Sequence, residues 1–427
     1  MSRRVVTGRR GVLATALALI AIVAVGANPA AAEATHWWWS LYHVDDAHAA
    51  GWTGAGVRIA VIGSQINPDL PDVDGTNLTV DPDPICAGET VITSDPTEDA
   101  LHDSGVTALL IGNGTGAAGT RGIAPDADVT FIGYGGDTDD DGSCEQEGTG
   151  MFGAALRRAM DAGATIISTS TIVSLDSRDG TVLSEAIARG IVIVGGVSNS
   201  TVQGLMPAPF SYRGVVSVNA MDQSGALELD YASETPNIVD DTVVVAAGVD
   251  LPAAVGDWTT VGSTTGASNA TPLVAGMLAL TAQKYPAATG DQLIQSLIHN
   301  TGSTDHDLAY SSTDGFGYGL ASLSHLLRVD PTQHPDENPL LTNQYAVAVP
   351  SDAELAAALP SASATATATA APTATATASP ADDPGTEGGT SGVVLLVAVV
   401  VVVVAGAAVA IALGARRARA RSRSAPS

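Results

Sequence analysis

Between residues 51 and 330 the chain alternates short β-branched apolar runs with longer alanine-rich stretches whose apolar positions recur at helical spacing. Residues 57–62, 129–132, 165–168, 191–194, 215–218 and 242–246 predict strands. Residues 151–162, 182–189 and 270–284 predict helices. Strands that are apolar on both faces and separated by helices imply one central parallel sheet covered by helices on each side, an α/β arrangement in three layers.

The two ends of the chain follow other patterns. Arg3, Arg4, Arg9 and Arg10 precede an apolar stretch over 11–26 and the small-residue run Ala30, Ala31 and Ala32. This order predicts a signal peptide over 1–32, with the arginine pairs also compatible with twin-arginine export. Residues 33–50 form an N-terminal arm in which Trp37, Trp38 and Trp39 either pack onto the domain or bind peptide or wall material. Beyond the domain over 51–330, residues 331–392 lose apolar periodicity and become an Ala/Thr/Ser/Pro tract, which predicts a stalk. Residues 393–413 are uninterruptedly apolar and would measure about 31 Å as a helix, enough to cross a membrane. Arginines at 416, 417, 419, 421 and 423 follow, so the 414–427 tail is expected in the cytoplasm and the domain outside a single-pass cell-membrane anchor.

Setting these ends aside changes the charge balance. Of 18 lysines and arginines, four lie in the signal and five in the tail, while all 45 acidic residues lie between them. So acidic a domain excludes nucleic-acid binding through phosphates; its expected partners are polypeptides, and the membrane through one helix. Cys86 and Cys144 both fall in the exported part, where a disulfide between them is expected and two free thiols are the alternative. Asp137 to Gly142 carries oxygens at alternate positions and a turn glycine, as in a calcium loop. Its twelfth position is Gly148 and no helix leads in, so an acidic surface loop is favoured and neither metal nor cofactor is expected.

Candidate chemistry begins at Ser268, which opens the helical stretch Gly266-Ala267-Ser268-Asn269-Ala270-Thr271-Pro272. A hydroxyl there lies close to unpaired backbone N–H groups, which suits a nucleophile that generates an oxyanion, although a serine opening a helix by itself reads as an N-cap. The segment resembles the serine signature G-T-S-x-A-x-P of the subtilisin-like proteases, or subtilases, with Ala267 in the threonine position. Gly54 to Ile62 resembles the strand leading to that family's catalytic aspartate. His102-Asp103-Ser104-Gly105-Val106 resembles its histidine motif H-G-T-x-V, and residues 122–127 resemble the G-V-A-P-x-A that follows. Residues 192–199 are similar to the strand ending in the oxyanion-hole asparagine, and 246–251 to V-A-P-G-V-D-I. With its signal, stalk and single span, the layout resembles the mycosins, membrane-anchored subtilases associated with type VII secretion in Gram-positive bacteria. The resemblance implies a subtilisin-like fold with Ser268 as nucleophile, His102 as general base and Asn199 as oxyanion donor.

Position 63 departs from that pattern. The family reads A-V-I-D-T-G where this chain has Ala60-Val61-Ile62-Gly63-Ser64-Gln65, so Gly63 stands where the imidazole-orienting aspartate is expected. Asp103 adjoins His102, and helix neighbours leave the backbone about 100° apart, which makes it a poor substitute. Ser64, Asp69 or a water could supply part of the orienting bond but not the charge. The expectation is an impaired endopeptidase acting on exported polypeptides through His102 and Ser268, which Gly63→Asp would improve. An inactive pseudoprotease serving a secretion assembly is the alternative.

Overall fold

The strands are β1 (Arg58–Gly63), β2 (Leu78–Val80), β3 (Asp128–Gly133), β4 (Ile166–Thr169), β5 (Val192–Gly196), β6 (Val216–Met221) and β7 (Val244–Ala247). In the computed structural model they form one parallel sheet in the order β2-β3-β1-β4-β5-β6-β7. Described residues are 36–136, 144, 146–174, 176–200, 208–343 and 346–358. The signal, span, tail, most of the stalk and the 137–142 loop lie outside them. Among the described residues no helix is long and apolar enough to cross a membrane.

Side-chain alternation along the strands builds two cores. Ile59 and Val61 of β1 enter one with Leu109 and Leu110 of α3 (Glu98–Ile111) and Leu273, Val274 and Leu278 of α6 (Ala267–Lys284). Ala60 and Ile62 face the opposite side, against Phe152 and Leu156 of α4 (Met151–Asp161) and Val182 and Leu183 of α5 (Asp179–Ala188). The expected three layers are therefore present, and the six predicted strands agree with the observed ones to within three residues. Every residue of β4 to β7 is buried, as doubly covered parallel strands require. Three short strands escaped the pattern: β2, and the antiparallel hairpin of β8 (Leu251–Ala254) and β9 (Val261–Thr264). All three are partly exposed, and Pro252 and Gly262 weaken the strand signal of the hairpin.

The N-terminal arm packs onto the domain. Trp37, Trp38 and Trp39 in α1 (Trp37–Leu41) are buried in the first core, and the Arg121 guanidinium lies 3.9 Å above the Trp39 ring. Val44 and Ala47 of α2 (Val44–Ala49) join the same core, and the Tyr42 hydroxyl accepts the Ala247 N–H of β7 at 2.7 Å.

After α7 (Gly290–His299) and α8 (Leu323–Leu326), the packed chain continues past the expected boundary at 330. Leu340 is buried in the first core, and Leu355 of α9 (Asp352–Ala358) in the second. Arg213 donates to the Leu341 carbonyl at 2.9 Å and to Asp352 at 2.7 Å. Residues 331–343 and 346–358 therefore pack on the domain, because two leucines reach its cores and Arg213 holds a segment whose composition alone reads as stalk. Cys86 and Cys144 form the expected disulfide. It spans 58 residues, for which the chain-entropy model gives about 4 kcal/mol of stabilisation.

Candidate active site

Ser268, His102 and Asn199 come from three elements that meet at the C-terminal edge of the sheet, where parallel α/β sheets bind ligands. α6 starts at Ala267 and buries nearly its whole length, so Ser268 in its first turn is fixed by the core. Pro272 lies in the second turn and has no N–H to offer the Ser268 carbonyl, which takes the Ser170 hydroxyl instead. The Ser268 hydroxyl donates to the Ser170 carbonyl at 3.3 Å, and the Ser170 hydroxyl returns a bond to the Ser268 carbonyl at 2.9 Å. Among the described residues no hydrogen bond joins Ser268 to His102, although both line one cleft.

Asn199 follows β5. Its Oδ1 accepts the Ala267 N–H at 2.9 Å, so its Nδ2 is left as the outward donor beside the start of α6. A Cβ on Gly266 would lie 2.7 Å from that Nδ2, and only glycine admits so close an approach. A fixed amide next to a first-turn serine N–H has the layout of an oxyanion hole.

His102 lies one turn into α3, whose start is capped by the Thr97 hydroxyl accepting the Ala100 N–H. Asp103 is 2% exposed, and its Oδ1 bonds His102 Nδ1 at 2.8 Å. Its Oδ2 accepts the Ser64 N–H and, at 3.2 Å, the Gln65 N–H at the end of β1. The expectation that Asp103 would be a poor partner is thus corrected. The 100° between neighbours fixes where the Cβ atoms leave the helix, whereas two side-chain torsions on each residue bring the ring and the carboxylate together. Ser64 contributes its backbone N–H, and the Asp69 N–H is bonded to Asn67 Oδ1. Burial pulls the His102 pKa down, but the Asp103 hydrogen bond and the charges of Asp103, Asp99 and Glu98 outweigh it and hold the ring above its usual value.

These groups open on a cleft of about 440 Å³. Leu101 and Leu109 wall it on the α3 side, with Val255 and Trp258 of the β8–β9 hairpin opposite. The Trp258 indole N–H donates to the Ser94 carbonyl at 2.7 Å and pins the hairpin across the cleft.

The sequence profile of the Subtilase family matches residues 54–319, more than half of the chain. The chain belongs to the subtilase family. It is 29% identical over 281 residues to the thermostable alkaline protease of Halalkalibacterium halodurans, covering 61% of this chain and 66% of that relative. It is 28% identical over 298 residues to subtilisin Savinase of Lederbergia lenta, covering 68% of this chain and 98% of the relative. The fold resembles the PatG macrocyclase domain (TM-score 0.52, 14% identity, covering 67% of this chain and 94% of that one). It also resembles the prenylagaramide maturation protease PagA (TM-score 0.50, 16% identity, covering 67% and 98%). The family match and the two sequence relatives support a subtilisin-like serine endopeptidase, a hydrolase, as the class of this subtilase.

One buried acid outside the cleft lining had no signal in the sequence. Glu228 is 2% exposed, and Asn237 Nδ2 donates to it at 3.0 Å and to the Ser198 carbonyl, next to Asn199, at 2.8 Å. Burial raises its pKa from 4.5 to about 7, against donors from Asn237 and the Ala267 backbone that favour the charged form. A folded-state pKa above the unfolded one gives stability that is full below about pH 4.5 and is lost as pH rises through about 7. The loss expected from this group is about 3 kcal/mol between pH 4.5 and 8. Glu228→Gln should flatten that part of the profile, which denaturant unfolding of parent and variant at the two pH values measures. Equal slopes would mean that Glu228 does not titrate there. Asp241, raised to about 6 by burial, is present in both proteins and cancels in the comparison.

Proposed function

We propose that this subtilase is a mycosin-like serine endopeptidase that stands outside a cell membrane and cleaves exported polypeptides. The observation that supports the reading is the convergence of Ser268, His102 and Asn199 on one cleft with apolar walls. Turning about its χ1 torsion frees the Ser268 hydroxyl from the Ser170 carbonyl. Its Oγ then attacks the scissile carbonyl carbon while His102 Nε2 takes the proton. Asn199 Nδ2 and the Ser268 N–H donate to the oxygen that becomes negative. His102 passes its proton to the amine as the C–N bond breaks, and water repeats the cycle on the acyl-enzyme. The extended signal, the span over 393–413 and the acidic surface fit a site at the outer face of the membrane, next to secretion-machinery proteins.

A second reading is favoured by the hydrogen bond that Ser268 gives to Ser170 instead of His102. In that reading the domain is an inactive peptide-binding part of a type VII secretion assembly. A fluorophosphonate separates the two, since an activated Ser268 Oγ displaces fluoride from phosphorus and stays attached. Labelling of the full-length detergent-solubilised protein that is lost in His102→Ala is expected. A parent that takes no label would leave the binding role.

A further inference from the structure

We propose that Asp103 is the positioning residue for His102, supplying from α3 the carboxylate that the aligned signature supplies from the end of β1. This rests on the reading of the cleft as a serine protease site and specifies how its histidine is held.

Both oxygens of Asp103 are committed. Oδ1 meets His102 Nδ1, and Oδ2 is held by two backbone N–H groups of the β1 terminus. The carboxylate is therefore fastened to the same strand end that would carry an aspartate at position 63, but it reaches that place from the helix. With Nδ1–H directed at the carboxylate, the lone pair of neutral His102 lies on Nε2, the atom that must take the serine proton.

Gly63 is the other half of the exchange. A Cβ there would stand 2.6 Å from Asp103 Oδ2, 2.7 Å from its Cγ and 2.9 Å from Phe131 Cζ. One carboxylate fits between the two positions, and either residue can bring it. The sequence agrees, with glycine where the signature has aspartate and aspartate where it has glycine. A side chain 2% exposed with three donors is not a solvated surface pair, which would contribute little. The impairment expected from Gly63 assumed that no acid reached His102, and that premise fails.

Gly63→Asp, expected from the sequence to restore activity, should instead lower it, because two carboxylates would crowd one space. Asp103→Asn should lower kcat/KM about 10⁴-fold. It should also move the acid limb of the pH profile downward, because His102 loses its main charged partner. Asp99 and Glu98 on the same helix still act on the ring, and Asp72 across the cleft is unchanged, so the downward move is partial. The double exchange Gly63→Asp with Asp103→Gly should stand about 10²-fold or more above Asp103→Asn, because the acid returns by the other route.

These rates are measured on the full-length detergent-solubilised protein with a fluorogenic peptide. NMR titration of His102 in the Ser268→Ala background, with and without Asp103→Asn, tests the pairing independently of turnover. A fall in the His102 midpoint supports the proposal. An unchanged midpoint, an Asp103→Asn rate within tenfold of the parent, or a double exchange no better than Asp103→Asn would each overturn it. A parent that neither hydrolyses peptide nor takes fluorophosphonate defeats the peptidase reading alone, and the titration then decides whether Asp103 holds His102.

Discussion

Ser268→Ala is expected to lower kcat/KM roughly 10⁶-fold, to the residual rate that an oxyanion site and substrate binding give without a nucleophile. The side chain lost is small and its contacts are one long bond to Ser170 and the cleft wall, so unfolding should change little. His102→Ala should cost a similar factor, because a hydroxyl without its base is no better than no hydroxyl. The informative experiment is the pair. Residues that act as one unit are not additive, so the double variant should be no slower than either single one. Peptide hydrolysis by the three variants, with folding checked by circular dichroism, measures this. A double variant slower than both by the product of the single losses would show two independent contributions and contradict the dyad.

Asn199→Ala should cost about 10² to 10³ in kcat with KM nearly unchanged, because the amide meets negative charge only when the carbonyl becomes tetrahedral. A change in KM alone would assign Asn199 to substrate binding. The variant also removes the Asn199 acceptor of the Ala267 N–H at the start of α6, leaving Glu228 as the other, so part of its effect is structural. Asn199→Asp separates the two. It keeps an acceptor for Ala267 and turns the outward donor into an acceptor, and it should be at least as slow as Asn199→Ala.

The sheet was legible because β4 to β7 are covered on both sides, which leaves runs of valine, isoleucine and alanine with little ambiguity. β2 and the β8–β9 hairpin were not, since they are short, half-covered and interrupted by Pro252 and Gly262. Leu340 and Leu355 show a different failure. A segment with only a few apolar anchors reads as linker when judged by composition, yet those anchors reach the core.

That Ser268, His102 and Asn199 line one cleft could be expected because each sits in a motif with a defined order. Asp103 was misjudged from a rule about Cβ directions applied to side-chain ends, although the matched loss at 63 and gain at 103 was a usable signal. Glu228 offered none. A glutamate in a polar stretch reads as solvated, and only the fold closes over it.

The burial of α6 around Ala270, Leu273, Val274 and Leu278 has one more implication. A reactive hydroxyl mounted on a rod sealed inside the molecule cannot travel to meet a substrate. Any adjustment during a reaction cycle must come from rotation about single bonds at 268 and 102, while the floor beneath stays still.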